Sequence, residues 1–419
     1  MKTISLVLRI VFLFVISLSL YTYAMVQGGF VSWFLVYAFL PVMLYLVIFL
    51  LYPIRFWYVE RQNDVSVFQS GDKIKVNIII KRRLPFPIQY CTVQDKIPDS
   101  LMKGDSGKEK YKFPKVAGSM EIDREASGIL FPLFKRQFEY SYTLEHLPRG
   151  VHYLSDIEIQ TGDIFGIIRK SVTFSIQQSF TVYPYHHQLK IDDVKSVEGE
   201  GGTAVYHIPS INITGVSGAR EYVPGDRMAW IDWKQTARKD EVMTKEFDQE
   251  KSDDIWVIHN NFMRKDSAPV LYEASIELSA SLTRILSKKD YIVHFISFGS
   301  VTESFDMSEG DIQKIMIDEY LSRRQRDSGI LPETSFNEMS RTNESGNVVM
   351  IMTSSSNVPV HSIINISKHA GYFSLIYLYM GRLSNKDKEV LHKLSLSNIR
   401  VYEINLKSFY EDPVEVRSI

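Results

Sequence analysis

The chain has 419 residues, with 48 Lys+Arg against 49 Asp+Glu and a formal net charge of −1, length enough for two or three domains at ~100–200 residues each. Only Lys2, Arg9 and Arg55 fall in the first 59 residues, and Ile10 to Ile54 hold no charged residue or histidine. Such a stretch excludes a purely soluble protein, the charge-rich remainder excludes a multi-span transporter, and its mildly acidic balance excludes the basic stripe of a nucleic-acid binder.

Residues 1–59 read as a transmembrane helical hairpin. Two apolar runs, Ile10 to Val26 and Phe30 to Tyr52, are parted by Gln27-Gly28-Gly29. A span needs ~17–25 apolar residues. The second run meets this and tolerates Pro41; the first meets it by extending back toward Ile4, with Arg9 snorkelling to the surface. A cleavable signal peptide is the rival reading, but Tyr21-Thr22-Tyr23-Ala24-Met25 makes a poor small-x-small cleavage site. Lys2, Arg9, Arg55 and Arg61 flank the outer ends, while the connecting loop carries no positive charge. The positive-inside rule therefore predicts a two-pass protein of the cell membrane, with its termini and soluble domains in the cytoplasm. Cys91 is the single cysteine, which excludes a disulfide framework and a Cys-based metal cluster.

Residues 60–190 read as a β-sandwich-like domain. Ile74, Val76, Ile78 and Ile80 alternate with Lys75, Asn77 and Ile79, and Phe138, Tyr140, Tyr142 and Leu144 repeat the pattern. Further short strands follow at Val151-His152-Tyr153, Ile157-Glu158-Ile159, Val172-Thr173-Phe174 and Phe180-Thr181-Val182-Tyr183, at roughly the 8–12-residue spacing of a sandwich. The charged, weakly periodic stretch from Lys103 to Ser127 reads as a long loop.

Residues 252–419 alternate strand and helix. Strands are expected at Ile255 to Asn260, Tyr291 to Phe298, Asn347 to Thr353, Tyr372 to Tyr379 and Ile399 to Leu406. Between them Leu271, Ala274, Leu278, Leu282 and Ile285 mark one helical face, and helices are expected at Asp311 to Arg324, Val360 to His369 and Lys386 to Leu394. Apolar strands bracketed by helices predict an α/β domain with a mainly parallel sheet covered on its two faces.

Residues 191–251 form a linker with the densest signal: Gly218-Ala219-Arg220-Glu221-Tyr222-Val223-Pro224-Gly225-Asp226-Arg227, then Met228-Ala229-Trp230-Ile231-Asp232-Trp233-Lys234-Gln235-Thr236-Ala237-Arg238. Pro224-Gly225-Asp226 is a turn, and Trp230 and Trp233 are large apolar anchors. Arg220, Arg227, Lys234 and Arg238 with Glu221, Asp226 and Asp232 have the chemistry of one ion-pair network, because Arg binds carboxylates bidentately. At Val242 to Phe247 a strand-like run leads on to the α/β domain.

This run closely resembles the hallmark of the bacterial domain-of-unknown-function family fifty-eight. Arg149-Gly150, Asp163-Ile164-Phe165-Gly166 and Val182-Tyr183-Pro184 are smaller echoes at the family's usual places. The resemblance implies two membrane helices, a β-rich segment, the hallmark and a von Willebrand factor A-like α/β domain, in that order. It also implies partnership with MoxR-type AAA+ ATPases. A von Willebrand A domain usually holds a divalent metal through a D-x-S-x-S run, a Thr and a second Asp. Here the corresponding positions are Asn260, Phe262 and Arg264, or in the alternative alignment His259, Asn261 and Met263, and Met352-Thr353-Ser354-Ser355 replaces the second Asp. Without a carboxylate, neutral oxygens cannot offset the dehydration of Mg²⁺, so no metal and no cofactor are expected.

His186-His187 with His207 lack partners at ligand spacing, and Gly199-Glu200-Gly201-Gly202 lacks the Gly-Lys-Ser/Thr end of a phosphate loop. Ser354-Ser355-Ser356 reads as a loop and Arg323-Arg324-Gln325-Arg326 as a solvated helix end. The expectation is a non-enzymatic membrane adaptor whose hallmark residues and strand-end rim engage a protein partner. The alternatives are a hydrolase of envelope metabolism using Asp226, Asp232 and Lys234, and a structural membrane scaffold. The oligomeric state is not legible.

Overall fold

The computed structural model describes residues 2–63, 67–113, 121–191, 216–222, 231–239, 241–247, 254–263, 267–288, 292–306, 311–329, 346–353, 360–370, 372–397, 399–411 and 413–418. The chain forms two compact units, Met1–Gly104 with Glu121–Val182, and Asp105–Met120 with Tyr183–Ile419.

The first unit begins with two helices, α1 (Lys2–Gln27) and α2 (Phe30–Leu51). They are separated at Gly28, whose φ of +61° is costly for any residue with a Cβ. By length and apolarity α2 qualifies as a membrane span. Strands β1 (Tyr58–Asn63), β2 (Val67–Gln69), β3 (Ile74–Lys81), β4 (Tyr90–Asp95), β5 (Ala126–Leu130), β6 (Gln137–Leu144), β7 (Gly150–Gly162) and β8 (Arg169–Tyr183) follow. They make a three-stranded sheet, β1-β3-β6, and a five-stranded sheet, β2-β8-β7-β4-β5. The predicted alternation is the inward face of β3, where Ile74, Val76, Ile78 and Ile80 are each at most 1% exposed. Ile78, Ile80 and Phe138 of one sheet share a core with Cys91, Val93, Ile157 and Ile159 of the other.

That core also takes in Leu46, Phe49 and Tyr52, so the last turns of α2 are packed into the β unit. Lys170 on β8 donates to the carbonyls of Phe49, Leu50 and Tyr52 at 2.6, 2.8 and 2.7 Å. A cation at a helix C-terminus satisfies orphan acceptors and opposes the negative end of the dipole. Arg61 is not one of the flanking surface charges that the orientation argument counted. Its side chain is fully buried on β1, bidentate to Asp95 at 3.0 and 2.7 Å, with Tyr142 also donating to Asp95.

In the second unit, strands β9 (Leu189–Ile191), β10 (Val216–Glu221), β11 (Met243–Phe247), β12 (Asp254–Asn260), β13 (Phe262–Met263), β14 (Ile292–Phe298), β15 (Glu303–Asp306), β16 (Asp327–Ser328), β17 (Asn347–Met352), β18 (Phe373–Tyr379), β19 (Arg400–Asn405) and β20 (Val414–Ser418) occur with five α-helices among the described residues. These are α3 (Trp233–Lys239), α4 (Pro269–Ser287), α5 (Asp311–Arg323), α6 (Val360–His369) and α7 (Asn385–Ser395). The main sheet runs β15-β14-β12-β17-β18-β19-β20-β9. Its central strands β14, β12, β17, β18 and β19 are mutually parallel, whereas β15 and β20 are antiparallel to their neighbours β14 and β19.

Alternate residues of each strand serve opposite faces. Val257, Phe295 and Ile351 pack with Leu278 and Leu282 of α4 and Leu321 of α5. Ile258, Ile296 and Met350 pack with Ile363 of α6 and Leu391 and Leu394 of α7. The helical stripe read from Leu271 to Ile285 is buried through Leu282, but most of the rest of α4 is buried as well, Tyr272, Ser275, Ile276 and Ser279 included. Pro269 stands at its first turn, where its missing N–H costs nothing. The stretch read as one long loop departs from expectation. Gly107–Tyr111 is a 3₁₀ turn belonging to the second unit, and Tyr111 is fully buried in that unit's core.

Candidate functional site

The hallmark folds as a small ribbon. β10 pairs antiparallel with β11, setting Arg220 opposite Thr244 and Glu221 opposite Met243. On the other side of β11, Ile231 bridges to Thr244, and Asp232 N donates to Met243 O at 2.8 Å. Asp232 then turns the chain into α3: its Oδ1 accepts Lys234 N at 3.1 Å, and its carbonyl accepts Thr236 Oγ1 at 2.8 Å. Thr236 Oγ1 in turn accepts Met243 N at 3.0 Å, tying α3 back to β11. Asp232 is thus a helix cap, a structural job for one of the carboxylates weighed as catalytic.

Trp233, read from the sequence as a large apolar anchor, faces outward. It stands on the first turn of α3 with 69% of its surface exposed, because Thr236 and not Trp233 faces the ribbon. Tyr222, Glu221, Lys234 and Arg238 are exposed as well. Pro224, Gly225, Asp226, Arg227 and Trp230 lie outside the described residues, as do the Arg220 side chain, His207, Gly199 to Gly202 and Ser354 to Ser356, so the predicted ion-pair network falls largely outside what the structure describes.

At the carboxyl end of β12 the residues aligned with metal ligands do other work. Asn260 is buried and its Oδ1 accepts Phe262 N at 3.1 Å. Phe262 is 6% exposed, in β13, pairing with β16. Arg264 lies outside the described residues. His259 is fully buried, within 3.3 Å of Ser297 Oγ and 3.2 Å of Ser275 Oγ. An amide spent on a turn and a buried phenyl ring do not fit a hard cation, and among the described residues no group of three or more His, Cys, Asp or Glu is placed to hold a metal.

Sequence reading missed the network that closes this end. Asn261 Nδ2 donates to Gln325 O and to Asp327 Oδ2, each at 2.9 Å, while Tyr272 Oη donates to Asn261 Oδ1. Asp327 Oδ2 also accepts Ser300 N at 2.8 Å and Arg324 Nη2 at 2.7 Å. Burial works to raise the Asp327 pKa, but these donors win and hold its carboxyl below the usual range. Arg324, read as part of a solvated helix end, is instead only 18% exposed in this pair. The pair presses on Gly299 so closely that a Cβ there would collide with the Arg324 guanidinium.

A second missed cluster is wholly buried. Lys110 Nζ donates to Asp105 Oδ2 at 2.8 Å and to Glu277 Oε1 on α4. Tyr111 Oη and His187 Nε2 meet Glu277 Oε2 at 2.6 and 2.7 Å. Burial disfavours the Glu277 carboxylate, yet Lys110 and His187 bring its pKa down to about 2. His187 is thus a packing partner of a carboxylate, and His186 lies 3.3 Å from Asp318. No periodic signal marked Glu277, which lies roughly 100° around α4 from the centre of the apolar stripe.

The family model described as Protein of unknown function DUF58 matches residues 218–311, which span the ribbon, α3 and the first half of the α/β sheet. An uncharacterized protein, YeaD of Bacillus subtilis (strain 168), is 31% identical over 306 residues, covering 72% of this chain and 71% of that protein. The chain belongs to the DUF58 family. Among solved structures, a CARDB domain from Pyrococcus furiosus is 10% identical over 30% of this chain and 91% of that domain, with a TM-score of 0.17. The sporulation control protein Spo0M of Bacillus subtilis is 14% identical over 29% of this chain and 48% of that one, with a TM-score of 0.14. Scores this low establish neither fold nor function.

Proposed function

We propose that the protein is a two-pass membrane adaptor whose cytoplasmic α/β unit is a metal-free, von Willebrand A-like module that binds a MoxR-type AAA+ ATPase. The observation that carries the reading is Trp233. An indole left 69% exposed on a turn fixed by the Asp232 cap and the Thr236–Met243 bond is a preorganised anchor, the kind of residue that dominates interfaces. The sheet order, with parallel strands β14-β12-β17-β18-β19 and an antiparallel β15 at one edge, supports the von Willebrand A-like assignment. The spent Asn260 and buried Phe262 favour a partner surface that works without a bridging ion. The capping role of Asp232 weighs against a hydrolase built on the hallmark carboxylates.

Affinity capture from solubilised membranes tests this. Wild-type protein is expected to recover an AAA+ ATPase, and Trp233→Ala to recover at least ~10-fold less at an unchanged melting temperature, since truncating an interface hot spot costs ~2 kcal/mol or more. Consistent recovery of no ATPase by the wild type would sink the adaptor reading.

A further inference from the structure

Length arithmetic on α2 leads beyond an anchor. At 1.5 Å per residue its 22 residues span ~33 Å, matching a hydrocarbon core of ~30 Å. Yet the β unit grips the helix well before its end. Phe86 stacks on Tyr45, Phe49 and Tyr52 at 5.6, 5.9 and 5.2 Å. Tyr45 Oη donates to Pro87 O at 3.3 Å and Tyr52 Oη to Leu84 O at 2.8 Å. If the bilayer stopped where this grip begins, the helix before Tyr45 would offer only ~23 Å, too short to cross. The loop around Phe86 therefore has to lie about 10 Å along the helix, at the depth of the bilayer interface.

The chemistry of the surrounding loops fits that depth. The first reads Lys81-Arg82-Arg83-Leu84-Pro85-Phe86-Pro87-Ile88 and the second Ile129-Leu130-Phe131-Pro132-Leu133-Phe134-Lys135-Arg136, so neither contains a carboxylate. Their tips point outward, with Leu84 64%, Phe131 65% and Phe134 65% exposed. Arg82, itself buried, fastens them together by donating to the carbonyls of Phe86 at 2.8 Å, Lys135 at 2.6 Å and Leu133. Leu133 holds a left-handed φ of +43°, pinned by reciprocal bonds with Ile88. The third loop is built by buried Asp163, whose carboxylate accepts the N–H groups of Phe165 and Ile168 while Gly166 takes a φ of +70°. It presents Ile164 and Phe165 at 59% and 55% exposure, and Ile167 and Ile168 tie it to the core around Leu46 and Phe49. Arg83, Lys135, Arg136 and Arg169 stand exposed beside the apolar tips.

Resting on the reading of α2 as a membrane span, we propose that these three loops form a collar that inserts into the lipid interface around the emerging helix. Leu84, Phe131, Phe134, Ile164 and Phe165 enter the acyl boundary, and the flanking Arg and Lys residues meet lipid phosphates. Apolar tips with cationic shoulders are what that layer selects, and the occupant of the patch is the bilayer that already surrounds the helix it encircles.

Spin-label depth measurement on the full chain in lipid vesicles tests the collar. Cys91 is fully buried and burial pushes its thiol up to about 12, so it does not compete for label. Single variants Leu84→Cys, Phe134→Cys and Ile164→Cys carry the probe at exposed sites; Tyr153→Cys, near the opposite end of β7 from Gly162, is the aqueous control, and Phe34→Cys reports on α2. Labels at 84, 134 and 164 are expected to collide more with oxygen than with a water-soluble nickel chelate, with the order reversed at 153. Aqueous exposure at all three with position 34 in lipid overturns the collar and leaves the anchor standing. Aqueous exposure at 34 as well overturns the anchor itself, and the collar with it.

Discussion

At the scale of single residues, Glu277 and Lys110 show why burial and pairing must be read together. Removing one partner of a buried pair leaves an uncompensated charge, so Lys110→Met is expected to cost about 3–5 kcal/mol in unfolding free energy, read by thermal or chemical unfolding in detergent. The Glu277 pKa falls from 4.5 to about 2 on folding. Its contribution is therefore present above about pH 4.5 and is lost as pH falls toward 2. The melting-temperature gap between wild type and Glu277→Gln should be widest above pH 5 and should close on acidification; a gap independent of pH would contradict the charged cluster. Neither member was legible in the sequence: Glu277 lies roughly 100° around α4 from the apolar stripe, where an acid reads as solvated. Lys110 lies 167 positions away, in a stretch whose charge reads as solvated loop, and no local pattern encodes such a pairing. Trp233 was legible as a large apolar anchor; the direction it faces, which the Asp232 cap sets toward solvent, was not.

At the scale of elements, periodicity was a strong guide wherever one face meets a core. The alternation in β3 and the stripe in α4 carried their elements nearly to the residue. Strands β15, β20 and β9 were not legible: β15 and β20 are short and fold back on the strand just before them, and β9 gains its place only by pairing with β20, far along the chain. Capping chemistry is where elements are most open to test. Lys170→Met deprives the end of α2 of a charged donor to three carbonyls. At roughly 1.5–3 kcal/mol for charged hydrogen bonds, a fall of several degrees in melting temperature is expected in reconstituted membranes, with α2 helicity retained. Gly299→Ala places a Cβ against Arg324 and Asp327. The overpacking should cost about 1–3 kcal/mol, and amide exchange should rise at β16 before it rises in the central strands; unchanged exchange at β16 would show that the pair does not hold the strand end.

At the scale of the whole molecule, the architecture is legible from the charge-free start and the switch from period-two to helical patterning, but the path of the chain is not. After Gly104 it leaves the first unit, contributes Asp105–Met120 to the second, and returns at Glu121. A fragment starting at Tyr183 thus lacks Lys110 and Tyr111. It should unfold at lower denaturant than the intact chain, and a peptide spanning residues 105–113 added in trans should restore part of the difference. That detour also puts a clock on biosynthesis. A ribosome adding about 5–20 residues per second delivers Glu277 roughly 10–30 s after Lys110, across the 167 positions between them. In the later part of that interval, once Val182 has been made, the first unit can be complete while the segment around Lys110 waits, hydrated and open to proteases and chaperones, for a partner helix that has yet to be translated.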